Sequence, residues 1–207
     1  MTTLAPVLLE APDPAAVEAF TAALGVGDAV GARFSEAPTS GFRGFTLSLV
    51  VSGPGTVDAL LGAAHDAGGT ALKPAAKSFW GYGGVVRAPD GSIWKVATSA
   101  KKDAGPVTRT VDSVVLLLGV ADVRASKRFY AERGLAVAKS FGGKYVEFER
   151  SAAGLTLALY GRRALAKDAG VPEDGTGSHR LVVGGDTGSF TDPDGFVWET
   201  TAVREAG

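Results

Sequence analysis

Short apolar runs, most of them strand-length, alternate with Gly, Pro and Asp along this chain. In the first half the pattern predicts strands over 5–11, 45–52, 83–87 and 92–98. In the second half it predicts strands over 114–120, 136–141, 144–150, 155–160, 180–184 and 196–201. Apolar residues spaced for one helix face follow Asp13 and Asp122, predicting helices over 14–24 and 123–133 with Asp at each N-cap. A further helix is predicted over 56–67. The polar stretch 101–108, with Gly105-Pro106, reads as a linker between the halves.

The two halves repeat each other in order. Ala88-Pro89-Asp90-Gly91-Ser92-Ile93-Trp94-Lys95 reappears as Asp192-Pro193-Asp194-Gly195-Phe196-Val197-Trp198-Glu199. Each copy is a Pro-Asp-Gly turn followed by a short strand carrying Trp. Phe20 and Phe129 each lie seven residues after the capping Asp. Asp66-Ala67-Gly68 is echoed by Asp168-Ala169-Gly170, with Gly as a helix stop. The copies are unequal. Leu49-Val50-Val51-Ser52-Gly53 leads into a long helix, whereas Leu181-Val182-Val183-Gly184-Gly185 runs almost directly into its turn.

Composition narrows the function classes. Of 207 residues, 21 are Lys or Arg and 22 Asp or Glu, for a formal net charge of -1. That balance argues against a nucleic-acid partner, whose affinity comes from basic side chains on phosphates. Apolar residues are 45% of the chain, enough for a folded core. Without cysteine there is no disulfide, no thiolate nucleophile and no Cys-ligated metal. The apolar runs are far shorter than the ~20 residues a membrane helix needs. The first residues carry no basic stretch and Glu10 interrupts their apolar run, so no signal peptide is expected and a cytoplasmic location is the expectation.

The order strand, Asp, helix with Phe-Tyr, then strands ending in Asp-Pro-Asp-Gly resembles the vicinal oxygen chelate superfamily of glyoxalase, bleomycin-resistance and ring-cleaving dioxygenase proteins. The residues that carry the resemblance are Asp122, Phe129-Tyr130, 155–160 and 192–199. In the first half they are Asp13, Phe20, Lys73-Pro74-Ala75, Phe79-Trp80-Gly81-Tyr82-Gly83 and 89–94. The resemblance implies an α+β fold of tandem βαβββ modules, their curved, partly open mixed sheets set around a cup. Residues 1–100 would be one glyoxalase-like domain with its first module shortened, 101–108 a linker, and 109–207 a second domain with its last module shortened.

Active members of that superfamily hold a divalent metal with His, Gln and Glu on cup-facing strands. Carried over position by position, Pro6, Thr46-Leu47, Lys95, Val115 (or Ser113) and Ala158 stand where ligands would be, and only His179 and Glu199 match. Lys95 would repel a cation. Two protein ligands are fewer than the three of a typical catalytic zinc site, so no metal cofactor is expected. The plain readings compete: His179 as a strand-edge residue, Glu199 as a solvated charge, His65 as a helix-end surface residue, and Asp90 and Asp194 as turn formers. The glycine clusters lack a P-loop Lys-Ser/Thr and the context of a dinucleotide fingerprint, and no nucleophile-elbow motif occurs.

What remains is an aromatic cup wall. Phe79, Trp80, Tyr82, Tyr145 and Tyr160 are the candidate ligand-binding residues, with Phe148 beside them. The favoured expectation is a metal-independent glyoxalase-like protein that binds a small, partly aromatic molecule. One alternative is a metal-dependent lyase, isomerase or dioxygenase using His179 and Glu199. A second is a non-catalytic structural module that mediates self-association. The partners expected are a small-molecule ligand and a second copy in a homodimer, with neither nucleic acid nor membrane.

Overall fold

The structure is a computed structural model that describes residues 4–151, 154–186 and 188–200. The chain begins β1 (Leu4–Ala11), α1 (Pro14–Ala23), β2 (Val30–Phe34) and β3 (Thr39–Gly41). It continues through β4 (Phe45–Val50), α2 (Pro54–Asp66), β5 (Thr70–Ser78), β6 (Gly81–Arg87) and β7 (Ile93–Thr98). After 101–108 come β8 (Ser113–Val120), α3 (Val123–Glu132), β9 (Val137–Ser140), β10 (Tyr145–Phe148), β11 (Leu155–Gly161) and α4 (Arg162–Ala169). The last described elements are β12 (Gly175–Gly177), β13 (Leu181–Gly185), β14 (Phe190–Thr191) and β15 (Val197–Thr200). Position 201, the end of the last predicted strand, lies outside the described residues. Among the described residues no helix is long and apolar enough to cross a membrane.

The local signals act as the sequence predicts. Asp13 accepts a hydrogen bond from the Ala16 amide at 3.2 Å, and Asp122 accepts from Arg124 and Ala125 at 2.8 and 3.1 Å. Each satisfies amides that the first helical turn leaves without partners. In the turns, Asp90 accepts from the amide and hydroxyl of Ser92, and Asp192 accepts from the amides of Asp194 and Phe196.

An eight-stranded mixed sheet runs in the order β5-β6-β7-β4-β8-β11-β10-β9. It is two complete strand–helix–three-strand modules, 45–98 and 113–161, joined through antiparallel β4 and β8. Within each module the first strand lies parallel to the last, β4 beside β7 and β8 beside β11. A five-stranded sheet, β14-β15-β13-β1-β2, unites the two shortened modules through antiparallel β1 and β13. The tandem reading pairs modules within each half. Instead, each sheet takes strands from both sides of 101–108, complete with complete and shortened with shortened. Backbone ladders are chemically alike for any partner strand, so apolar pattern finds the strands without choosing their neighbours.

The two sheets share one core with the helices α1, α2 and α3. Phe20 of α1 packs on Trp94 of β7 at a ring separation of 5.7 Å. Tyr130 of α3 meets Phe148 of β10 at 5.8 Å and Trp198 of β15 at 5.3 Å. Phe148 is therefore a buried core residue rather than part of the cup wall. β2 and β5 are strands the sequence pattern does not reveal. Both are edge strands with one partner each, and β5 carries Pro74, which an edge tolerates because no ladder bond is lost.

Candidate functional site

On the eight-stranded sheet the cup face is the one turned away from α1, α2 and α3. Strand alternation places Val85, Ile93, Lys95, Leu117 and Tyr160 there, opposite the core residues Val86, Trp94, Leu116 and Leu159. This face is not an open cup. Helix α4, which the sequence pattern signals only by its Gly170 stop, lies across β8, β11 and β4. It buries Leu165, Ala166 and Ala169 in a second apolar cluster with Phe42, Val85 and Ile93. Gly170 ends the helix at φ 80°, in the left-handed conformation that suits glycine.

Polar contacts pin both ends of α4. Arg162 donates to the Phe42 carbonyl at 2.7 Å and to that of Glu173 at 3.2 Å. Lys73 of β5 donates to the carbonyls of Lys167 and Asp168 at 2.8 and 2.6 Å, where the helix leaves acceptors unpaired. Lys95 of β7 donates to both carboxylate oxygens of Asp168 at 3.0 and 2.7 Å.

The cluster beneath α4 separates two cavities. One, of about 280 Å³, is lined by Phe42, Arg43, Arg87, Ile93, Val171 and Asp174 among others. The side chain of its Arg43 is nearly inaccessible and pairs with that of Asp90 at 3.1 Å. Burial lowers the Arg43 pKa, and Asp90 opposes that shift. The other, a groove of about 500 Å³, is bordered by β5, β6, β7 and the end of α4. Its lining includes Trp80, Lys73, Lys77, Lys95, Ala97 and Asp168.

The candidate ligand-wall residues fall in two places. Phe79 and Trp80 form the tip of the β5–β6 hairpin, edge to face at 5.1 Å, and are 83% and 82% exposed. Trp80 lines the groove and Phe79 stands outside its lining. Tyr82 borders the groove, but it packs toward the main core and its hydroxyl donates to Asp58 of α2 at 2.8 Å. That carboxylate, with a smaller contribution from burial, raises the Tyr82 pKa. Tyr145 and Tyr160 lie across the sheet on β10 and β11, rings 6.1 Å apart. Tyr160 packs against the cluster under α4, and Tyr145 donates to Glu147 at 2.7 Å. Burial, then Glu147, pushes the Tyr145 hydroxyl far above its ordinary pKa. Burial alone would raise Glu147, but the hydrogen bonds from Lys139 and Tyr145 hold it below the usual value.

His179 and Glu199 do not converge on a common site. Both ring nitrogens of His179 face backbone carbonyls, Nδ1 that of Arg43 and Nε2 that of Asp194 at 3.1 Å, while the ring stacks on Phe196. Glu199 does face away from buried Trp198, onto the outer face of the five-stranded sheet. There Arg33 of β2 bridges it to Glu10 of β1, at 2.9 and 2.6 Å. Glu10, against the effect of burial and with help from Glu199, raises the Arg33 pKa. A guanidinium thus stands between the two carboxylates. Among the described residues no group of three or more His, Cys, Asp or Glu could hold a metal ion. His179 and Glu199 therefore form no common donor set for a divalent metal.

The sequence matches no protein-family model and no curated protein. Solved structures do match. The chain is similar to glyoxalase I from Zea mays, at 12% identity over 97% of this chain and 92% of that one, with a TM-score of 0.62. The V278E mutant of that glyoxalase I gives 13% identity, the same coverage and a TM-score of 0.61. A putative dioxygenase from Bacillus subtilis subsp. subtilis str. 168 is similar over 93% of this chain and 71% of that one, at 12% identity and a TM-score of 0.52. At such identities the likeness is one of fold. With two complete βαβββ modules paired in one sheet and two shortened ones in another, the chain has the vicinal oxygen chelate fold that glyoxalase I displays.

Proposed function

We propose that this protein binds a small, partly aromatic molecule, without a metal, in the groove between the β5–β6 hairpin and the end of α4. The observation that carries the reading is Trp80, an 82% exposed indole at the mouth of a groove of about 500 Å³. Exposing so large an apolar ring opposes the hydrophobic effect, and binding sites are where such exposure recurs. The reading is binding rather than turnover. The groove lining holds no His, and its one carboxylate, Asp168, is paired with Lys95. His179 and Glu199 support no metal-dependent reading, since carbonyls and Arg33 already engage them.

The test is a screen of one- and two-ring aromatic compounds by ligand-observed NMR, followed by titration of the best binder. An aromatic wall adds about 0.5–1.5 kcal/mol beyond the area it covers, so Trp80→Ala should weaken binding about tenfold. The denaturation midpoint should stay unchanged. Binding that survives Trp80→Ala at full strength places the ligand elsewhere and overturns the reading.

A further inference from the structure

We infer that the groove selects an organic anion, with the ammonium groups of Lys95 and Lys77 as its charge partners and the Asp168 carboxylate as a built-in competitor. This rests on the reading of the groove as the ligand site and names the class of ligand it takes. The groove is lined by Lys73, Lys77 and Lys95 against the single carboxylate of Asp168. These charges are not equally engaged. Lys73 spends its donors on the α4 carbonyls, and Lys95 is held by Asp168. Lys77 is exposed on the edge strand β5, opposite Tyr82 in the hairpin register.

Lys95 stands on the last strand of its module, on the cup face, at one of the positions where the resemblance places a metal ligand. A fixed ammonium there reverses the usual arrangement. A carboxylate at this position would attract a cation, and the cation would in turn hold the substrate's oxygens. The ammonium instead offers positive charge to an anion directly. Asp168 already shows the geometry such an anion would adopt, with both its oxygens within 3.0 Å of Lys95 Nζ. The pair is partly solvated, its side chains 33% and 43% exposed. An ion pair this exposed is weak enough for an incoming carboxylate to exchange with it. Trp80, in the lining of the same groove, leaves the apolar part of the ligand a ring to lie against.

The probes are 2-naphthoate and its neutral counterpart 2-naphthamide, titrated into the full-length protein by calorimetry. Charge-assisted hydrogen bonds contribute about 1.5–3 kcal/mol, so naphthoate should bind at least about tenfold more tightly than naphthamide. Raising salt from about 0.05 M to about 0.5 M should weaken naphthoate and leave naphthamide unchanged. Lys95→Met and Lys77→Met should each narrow the preference, with cooperative thermal unfolding confirming that both variants fold. Asp168→Asn removes the competitor and should tighten naphthoate by up to about fivefold, the range of an exposed ion pair. Equal binding of the two probes overturns the anion inference while leaving the groove as a ligand site. Failure of both to bind overturns both readings. Weaker naphthoate binding to a folded Asp168→Asn variant overturns the competitor role.

Discussion

Lys95 on β7 and Asp168 at the end of α4 are 73 residues apart in sequence, yet the ammonium meets both carboxylate oxygens within 3.0 Å. The contact closes one end of the cup face. It fastens the last turn of α4, the helix that connects the eight-stranded sheet to the five-stranded one, to the strand that carries Trp94.

The ion pair is not what holds α4 in place. Leu165 is fully buried between the helix and the sheet, whereas Lys95 and Asp168 remain partly solvated. Leu165→Ala should cost about 2–5 kcal/mol through lost burial and a residual cavity. Lys95→Ala should cost about 0.2–1 kcal/mol. Urea denaturation of both variants checks the ranking, and equal losses would contradict it.

Asp90 does more than form a turn. Its carboxylate accepts from Ser92 and also faces buried Arg43, the two side chains being 2% and 8% exposed. Removing one partner of a buried pair strands the other charge, at a cost of about 3–5 kcal/mol. Asp90→Ala should therefore lower stability by that amount in chemical denaturation. A loss below about 1 kcal/mol would reduce Asp90 to its turn role.

Asp192 gives stability a readable pH dependence. Burial raises its pKa above 3.8, although the hydrogen bond from the Tyr130 hydroxyl pulls the other way. A carboxyl with a raised folded pKa favours the folded state fully below its unfolded pKa, and that contribution is lost as pH rises through the folded value. Measured against Asp192→Asn, the unmodified protein should lose relative stability between about pH 3 and neutrality. A difference that is flat or grows with pH would overturn the assignment.

Two of the tryptophans mark opposite ends of the burial scale. Trp94 is 0% exposed, packs at a tilt against Phe20 and donates to Ser92 at 2.9 Å. Trp94→Ala should cost about 3–5 kcal/mol. Trp80→Ala should stay within about 0.5 kcal/mol of the parent, because an exposed side chain leaves no cavity. Thermal and urea unfolding of the two variants separate these outcomes.

Metal should add nothing to this protein. Arg33 occupies the space between Glu10 and Glu199, and carbonyls face both nitrogens of His179. Zinc, nickel or manganese in excess should leave the unfolding midpoint unchanged, since an ion that binds only the folded state raises it. Elemental analysis finding close to one tightly held ion per chain, lost on His179→Ala, would reverse this.

The sequence by itself determined the modules. Asp13 and Asp122 cap their helices through bonds to amides two or three residues away, and the Asp-Gly turns close within five residues. Such interactions are local, so they are legible in a linear pattern. The unequal halves were legible too, because a missing helix is a missing stretch of chain. Tertiary structure alone decided the rest. Pairing of β4 with β8 and β1 with β13 depends on which ladder buries both partners' apolar faces, and no single strand carries that information. The edge strands β2 and β5 are not legible because Gly31 and Arg33 in one, and Lys73, Pro74 and Lys77 in the other, interrupt the apolar alternation a strand would show. Helix α4 is not legible because Arg162–Ala169 is short and half of it is charged, and only the sheet beneath it makes Leu165, Ala166 and Ala169 a face. The same long-range packing brought Lys95 to Asp168 and set Arg33 between Glu10 and Glu199, so the chemistry of both sheets' outer faces was decided by the fold rather than by any motif.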